Sequence, residues 1–220
     1  MFIALEGIDG SGTTTQTARL VAALREAGIA AHATCEPSAG PVGALIRQIL
    51  AGRVVLPPEP TGQGARQPGP APSWASMALL FAADRLDHLD AEVLPALARG
   101  RTVVTDRYDY SSVAYQSMSG EGGAAIPWLR DINRHARRPD LTLVLDIDPS
   151  VAAERRALRG GTQELYERAA LQQQLAAFYA DIDRYFPVDR FTHVDASASA
   201  DVVAAKIWRS VRERRAEPFD

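Results

Sequence analysis

Cysteine, lysine and long apolar runs are scarce in this chain of 220 residues, and each absence excludes a kind of bond, site or protein class. Cys35 is the only cysteine, which excludes an internal disulfide, and we expect it to be a small buried hydrophobe on a strand. The sequence shows neither an apolar run that could span a bilayer nor the pattern of a signal peptide. A net charge of −3 gives no indication of binding to nucleic acid or a membrane surface. We therefore expect a cytoplasmic protein with no nucleic-acid or membrane partner.

Lysine is almost missing too, because Lys206 is the only one among 24 basic residues. Its absence matters most near the start of the chain, where residues 7–14 match the pattern G-x-x-x-x-G-K-[ST] except at Thr13. In such a loop, backbone N–H groups wrap phosphates at a helix N-terminus, the lysine reaches the β- and γ-phosphates, and the last hydroxyl binds Mg²⁺. The candidate nucleotide-binding residues are Gly7, Gly10, Ser11, Gly12, Thr13, Thr14 and Thr15, with Thr14 as a metal ligand. The alternative is a glycine-rich turn that binds no ligand. Such a turn does not require as many glycines and hydroxyls as these positions contain, so a ligand site is favoured.

Short apolar, β-branched runs alternate with helical patterns along the chain. Strands are predicted at residues 2–6, 29–34, 102–105, 141–147 and 191–194, and helices at 14–27, 42–50 and 201–215. This alternation predicts an α/β fold, here a single domain over residues 1–220, with a parallel sheet of about five strands and helices on both faces. Residues 55–73 are rich in proline and glycine and are expected to form a surface loop.

Charged side chains follow several of these strands. Ligands of a parallel sheet bind outside the carboxyl ends of its strands, where Glu6-Gly7, Glu36-Pro37 and Asp106-Arg107 are expected to meet. Arg107 is a candidate for bidentate phosphate binding and Asp106 for orienting a metal-bound water, with an ion pair at the sheet edge as the alternative. Asp9 lies inside the phosphate loop, where its carboxylate requires a counter-charge, a metal-bound water or a substrate hydroxyl.

Two helical segments carry further candidates. Phe81 and Arg85 are four residues apart on one helix face, which suits stacking on a base, although taken alone the pair favours a core phenylalanine and a surface arginine. Arg155, Arg156 and Arg159 precede a pair of glycines that could hinge a flap over developing phosphoryl charge; a solvated basic face is the alternative. The four histidines have no metal-ligand spacing and are expected at ordinary core or surface positions.

Together these segments resemble the thymidylate kinase family, whose members phosphorylate dTMP to dTDP with ATP. The similar segments, in chain order, are residues 2–12, 36–37, 80–85, 106–116, 139–142, 166–168 and 195–197. Their order and spacing cover nearly the whole chain. The resemblance implies the fold of the P-loop nucleoside monophosphate kinases, ATP and Mg²⁺ as cofactors, dTMP as substrate, and a homodimer.

The resemblance also implies a role for each matching residue. For the acceptor, it implies that Phe81 stacks on thymine, Arg85 bonds the base carbonyl, and Tyr115 lies under the sugar, where a ring crowds a ribose 2′-OH. The remaining implied acceptor residues are Ser111, Ser112, Gln116, Tyr166 and Glu167. The implied catalytic residues are Asp9, Arg107, Arg155 and Arg159, with Arg156 and Ser197 at the ATP, Thr14 and Asp106 at the metal, and a lid at about residues 155–168. Because Gly10 occupies the loop position where some members carry a catalytic arginine, the chain resembles the lid-arginine type.

The chain departs from the family pattern at three charged positions. Thr13 replaces the phosphate-loop lysine, and Cys35 and Leu165 stand where many members have arginine. The leading hypothesis is an ATP-dependent dTMP kinase, active or attenuated. The alternatives are a nucleotide-binding protein with little or no kinase activity, and a kinase for another deoxynucleoside monophosphate.

Overall fold

The computed structural model describes residues 1–54, 72–119, 122–159 and 169–216, except for the side chain of Arg159. The expectations for most of the loop at 55–73, for the glycine pair at 160–161, and for Leu165, Tyr166 and Glu167 lie outside these residues. The strands are β1 (Phe2–Glu6), β2 (Ala31–Cys35), β3 (Thr102–Asp106), β4 (Leu141–Asp146) and β5 (Phe191–Asp195). The helices are α1 (Thr13–Glu26), α2 (Pro41–Leu50), α3 (Trp74–His88), α4 (Leu94–Ala98), α5 (Asp109–Ser119), α6 (Ile126–Ile132), α7 (Pro149–Arg159), α8 (Ala169–Ala180), α9 (Ile182–Tyr185) and α10 (Ala200–Ala216). A π-helical turn (Leu89–Val93) joins α3 to α4, and a 3₁₀ turn (Gly122–Ala125) precedes α6. None of the described helices is long and apolar enough to cross a membrane.

The five strands form one parallel sheet in the order β2-β3-β1-β4-β5. Successive side chains of a strand point to opposite faces, so Phe2 and Ala4 pack into one core and Ile3 and Leu5 into another. The first core includes side chains of α3, α5 and α8, and the second includes side chains of α1 and α10. The predicted α/β fold, with about five parallel strands and helices on both faces, is confirmed.

The sequence prediction for β2 needs two corrections. The strand begins at Ala31 rather than at residue 29, because Gly28 turns the chain at φ +76° and Ile29 N–H donates to the Leu24 carbonyl at 2.9 Å. These contacts finish α1 before the sheet begins. Cys35 is exposed, so the expectation of a buried residue is wrong. It ends a strand at the edge of the sheet, where neighbours cover it less than they cover a central strand.

Candidate functional site

The carboxyl ends of three neighbouring strands bring the charged motifs together. In the register of the sheet, Leu5 of β1 and Cys35 of β2 both pair with Asp106 of β3. The residues that follow these positions therefore lie along one edge, and the Glu36 N–H donates to the Asp106 carbonyl at 3.0 Å. Arg107 N–H donates in the same way to the Leu5 carbonyl at 2.9 Å. The convergence expected from the sequence is present in the structure.

The phosphate loop connects β1 to α1. Its tight course is held by a bond from Ser11 N–H to the Ile8 carbonyl at 3.0 Å, and Gly12, at φ +100°, precedes the first residue of the helix, Thr13. The first turn of α1 contains no acidic residue, so the partial positive charge of its backbone N–H groups is left for an anion. Ser11 Oγ is buried and has no hydrogen-bond partner among the described residues. The backbone of the loop therefore suits a phosphate, but Thr13 brings no charge to it.

Thr14 and Asp106 form the part of the site that suits a divalent cation. Thr14 Oγ1 donates to Asp106 Oδ2 at 2.5 Å, and Asp106 Oδ1 is buried with no hydrogen-bond partner in the described part of the chain. A hydroxyl and a carboxylate at this edge fit Mg²⁺, which prefers oxygen ligands and takes few of them from protein when phosphates supply the others. In the described residues there is no group of three or more His, Cys, Asp or Glu side chains able to hold a metal by themselves. A metal at this position would therefore be shared with phosphate oxygens.

Asp9 finds its counter-charge in Arg107. Arg107 Nη2 donates to Asp9 Oδ1 at 2.5 Å, and its Nη1 donates to the Gly7 carbonyl at 2.8 Å and to Ser111 Oγ at 3.0 Å. Gln172 of α8 holds the other side of Asp9, because its amide donates to Asp9 Oδ2 at 2.8 Å and its carbonyl accepts from Asp9 N–H at 3.1 Å. Arg107 has a left-handed backbone, with φ +68°, an unusual conformation for a residue with a side chain. Both side chains remain about one-fifth exposed, so a ligand can reach this ion pair.

Glu6 lies beneath this ion pair; the sequence placed it where the charged motifs meet but assigned it no role in binding or catalysis. Its side chain accepts hydrogen bonds from Tyr108 N–H at 2.8 Å, Ser111 Oγ at 2.6 Å and Tyr179 Oη at 2.9 Å. Burial raises the pKa of Glu6 to about 7, against the opposing effects of Arg107 and of the hydrogen bonds from Ser111 and Tyr179. Since Ser111 Oγ also accepts from Arg107, Glu6 supports the arginine through one intervening hydroxyl.

A pocket opens beside Arg107 and is lined by most of the predicted acceptor residues. The lining residues are Asp9, Glu36, Pro37, Leu50, Phe81, Arg85, Arg107, Tyr108, Ser111, Ser112, Tyr115 and Gln116. Phe81 is partly exposed, and the guanidinium of Arg107 lies over the ring of Tyr115, 5.4 Å from its centroid. The pocket therefore places aromatic rings, hydroxyls and two guanidinium groups around one space.

Arg85 is buried, which contradicts the surface position that its local pattern favours. Its side chain is 1% exposed and forms an ion pair with Glu36 at 2.7 Å, with further bonds to Ser112 Oγ at 2.8 Å and Asn133 Oδ1 at 2.5 Å. The local pattern cannot reveal these partners because they follow β2 or lie in α5 and after α6. Arg85 Nε is buried and has no hydrogen-bond partner among the described residues, and Arg85 is one of the residues that line the pocket.

The arginines of α7 have separate partners. Arg155 donates to the carbonyls of Ser197 and Ala198, both at 3.1 Å, which places it beside the loop after β5. Ser197 itself is turned back by bonds from its N–H and Oγ to Asp195. Arg156 Nη1 donates to the carbonyl of Asp9 in the phosphate loop. The side chain of Arg159 is outside the described part of the structure.

Comparison with known proteins identifies one family. The family model for thymidylate kinase matches residues 5–207. The thymidylate kinase of Magnetococcus marinus is 38% identical over 218 residues, which cover 97% of this chain and 96% of that protein. The thymidylate kinase of a Jannaschia species is 40% identical over 225 residues (99% and 98% of the two chains), and a probable thymidylate kinase of Pyrococcus horikoshii is 37% identical over 206 residues (92% and 94%). The similarity therefore includes the phosphate loop, the pocket beside Arg107 and α7.

Proposed function

Because this chain belongs to the thymidylate kinase family, we propose that it transfers the γ-phosphoryl group of ATP to dTMP and forms dTDP and ADP. The observation that carries this proposal is the position of Arg107. Its guanidinium bonds the Gly7 carbonyl of the phosphate loop and also lines the neighbouring pocket. A phosphoryl donor in the loop and a monophosphate in the pocket would thus meet at one fixed positive charge.

The pocket is the proposed site of dTMP. Phe81 stacks on the thymine ring, and Arg85, fixed by Glu36, donates a guanidinium N–H to a base carbonyl. Tyr115 lies under the sugar, where its ring leaves little room for a 2′-hydroxyl. Ser111, Ser112 and Gln116 complete the polar wall of the pocket. The proposed acceptor is therefore a pyrimidine deoxynucleotide.

The phosphate loop is the proposed site of ATP. Backbone N–H groups at the start of α1 bind the phosphates, and the loop after β5, with Ser197, lies beside the adenine. Thr14 and Asp106 would hold Mg²⁺, which neutralises phosphate charge and orients the β- and γ-phosphates when it is bound. The protein's share of the metal site is then small, as is usual for Mg²⁺ bound to a nucleotide.

The proposed reaction is an in-line displacement. A phosphate oxygen of dTMP forms a bond to the γ-phosphorus while the bond to the β,γ-bridging oxygen breaks and that oxygen leaves with ADP. Arg107 positions the acceptor phosphate, and Asp9, held by Arg107 and Gln172, fixes the orientation of that guanidinium. Of the two α7 arginines implied as catalytic, Arg155 bonds the carbonyls of Ser197 and Ala198, so Arg159 is the proposed source of positive charge for the transferred group.

Thr13 favours a second candidate function, a nucleotide-binding protein with little kinase activity. Removing one preorganised donor to developing charge costs on the order of 10²–10³ in rate, and a threonine hydroxyl cannot replace an ammonium. The two candidates differ in turnover but share the two nucleotide sites.

A coupled assay of ADP release tests both candidates. We expect the highest kcat/KM with dTMP when dTMP, dUMP, dCMP and dGMP are compared, and little change for Arg134→Ala, which removes an exposed arginine as a control. Faster turnover of another nucleotide would refute the acceptor assignment. Calorimetric binding of dTMP and of an ATP analogue without turnover of any nucleotide would establish the binding protein instead.

We also propose that the protein is a cytoplasmic homodimer. Leu79 and Leu86 are 53% and 40% exposed on α3, and Leu45 of the adjacent α2 is 41% exposed. Leu79 and Leu86 are seven residues apart and give α3 an apolar face that a second copy of the chain would cover. Light scattering is expected to give twice the chain mass, and Leu79→Glu is expected to shift that mass towards the monomer; a monomeric parent protein would exclude the dimer.

A further inference from the structure

Thr13 leaves the phosphate loop without the positive charge that a lysine would bring to it. We propose that Arg156 of α7 takes the role of the phosphate-loop lysine and binds the β- and γ-phosphates of the donor nucleotide. The inference rests on the proposed function only in that the phosphate loop binds a nucleoside triphosphate.

The first observation is the contact between Arg156 and the loop. Arg156 Nη1 donates to the carbonyl of Asp9, four residues before Thr13, although the two residues are 147 positions apart in the chain. A guanidinium carries five N–H donors in a planar fork, so one bond to a carbonyl leaves others to face an anion in the loop. The backbone of the phosphate loop thus holds the guanidinium of Arg156 beside the loop.

The second observation is the space that Gly10 leaves for α7. A Cβ atom on Gly10 would lie 2.4 Å from the Ala152 carbonyl oxygen and 3.1 Å from Arg156 Cγ. Ala152 and Arg156 are four residues apart and share a helix face, so that face packs directly against the backbone of the loop at residue 10. Gly10 also has φ +92°, a conformation that glycine adopts without strain. A larger residue there would push the stem of Arg156 away from the loop.

The third observation is that three other cations form bonds to groups outside the proposed donor-phosphate position. Lys206 Nζ bonds the carbonyl of Asp195 at 3.1 Å and its carboxylate at 2.9 Å. Arg155 bonds the carbonyls after β5, and Arg107 bonds Asp9 and lines the acceptor pocket. In the part of the chain that the structure describes, Arg156 is therefore the cation best placed for the donor phosphates.

A double-mutant cycle between residues 13 and 156 tests the proposal. Four proteins are compared: the parent, Arg156→Ala, Thr13→Lys and the variant with both changes. We expect Arg156→Ala to lower kcat/KM for ATP on the order of 10²-fold. The variant with both changes is expected to have a kcat/KM at least about tenfold higher than Arg156→Ala alone. In the parent background, Thr13→Lys is expected to change kcat/KM by less than about threefold, because the charge is already supplied. An equal loss from Arg156→Ala in both backgrounds would overturn the proposal.

Two further variants separate Arg156 from other arginines. Arg209→Ala removes an exposed arginine of α10 and is expected to change nothing in either background. Arg159→Ala is expected to lower kcat without rescue by Thr13→Lys. If Thr13→Lys rescues Arg159→Ala and not Arg156→Ala, the replacement charge belongs to Arg159 and the proposal is wrong.

A binding measurement makes the test independent of dTMP turnover. By calorimetry, Arg156→Ala is expected to weaken a non-hydrolysable ATP analogue at least tenfold, and AMP, which has no β- or γ-phosphate, by less than about twofold. A parent protein that phosphorylates no nucleotide but shows this pattern would refute the proposed function and support the role of Arg156. Equal effects on the analogue and on AMP would overturn that role, whatever the kinase activity.

Discussion

Replacing Arg85 with methionine should separate the structural role of its charge from its role in binding. Arg85→Met keeps a side chain of similar length but removes the guanidinium that faces Glu36, Ser112 and Asn133 at 2.5–2.8 Å. The Glu36 side chain is only 3% exposed, so its carboxylate would remain buried without its arginine partner. Breaking a buried pair in this way costs about 3–5 kcal/mol of the free energy of unfolding, a large part of the 5–15 kcal/mol typical of a native protein.

The second change, Glu36→Gln, removes the carboxylate that Arg85→Met leaves behind. Because replacing both members of a buried pair is often close to neutral, we expect the double variant to regain at least about 2 kcal/mol relative to Arg85→Met alone. The measurement is urea unfolding at constant pH, followed by tryptophan fluorescence. As a matched control, Arg134→Met breaks an ion pair with Asp131 whose side chains are 61% and 60% exposed, and is expected to cost less than about 1 kcal/mol.

Binding gives the complementary readout. Both variants that lack the Arg85 guanidinium are expected to lose at least tenfold in dTMP affinity, whereas the affinity for an ATP analogue should stay within about twofold. Equal stability of Arg85→Met and the double variant would refute the reasoning, because the cost would then come from lost packing rather than from the charge of Glu36. Recovered dTMP affinity in the double variant would contradict the assignment of Arg85 to the base.

Three further predictions concern single carboxylates and one histidine. Because the pKa of Glu6 rises to about 7 in the folded protein, the free energy of unfolding should fall by about 3 kcal/mol between about pH 4.5 and about pH 7. In urea titrations at a series of pH values, Glu6→Gln should flatten that dependence on pH. An unchanged slope would exclude Glu6 as its source. Asp106→Asn should lower kcat on the order of 10²-fold with little change in dTMP affinity, and an equal loss of dTMP binding would argue against a metal role. Burial alone lowers the pKa of His193, but hydrogen bonds and charge from Asp183 and Asp146 raise the pKa overall. The stability that these contacts add is therefore present below the ordinary pKa of histidine and is lost as the pH rises through the raised pKa. Thermal unfolding of His193→Gln should therefore match the parent more closely at about pH 8 than at about pH 6, and the reverse order would exclude this account.

The fold was predictable because its pattern is local. The alternation of apolar runs and helical faces located β1 at its observed bounds and α1 within one residue at each end. The prediction failed where the chain's path depends on a cap or on neighbours. Gly28 finishes α1 over residues that read as strand, and Cys35 is exposed because β2 lies at the sheet edge, which a single strand's composition does not reveal.

The arrangement of the candidate site could be predicted where a motif contains the residues, but not where their partners come from distant segments. Asp9 in a phosphate loop required a counter-charge, and Arg107 supplies it. Gln172, which clamps the other side of Asp9 from 163 positions away, belongs to a helix without a motif. Glu6 reads as the last residue of a strand, and its raised pKa comes from burial, with Ser111 and Tyr179 as hydrogen-bond partners from α5 and α8. Burial and long-range partners are tertiary properties, so the residue type alone does not identify them.

If Arg156 supplies the positive charge, binding of the donor nucleotide depends on the packing of α7 against the phosphate loop. A lysine at residue 13 would be fixed at the start of α1, whatever α7 does. Arg156 reaches the loop only while the Ala152 face of α7 packs on Gly10, so the affinity for a triphosphate becomes linked to the docking of that helix. Gly10→Ala, which places a Cβ in the space that α7 occupies, should therefore weaken an ATP analogue more in the parent than in the Thr13→Lys background, because only the parent relies on α7 for its charge. Equal weakening in both backgrounds would mean that Gly10 matters for the loop's own backbone and not for Arg156.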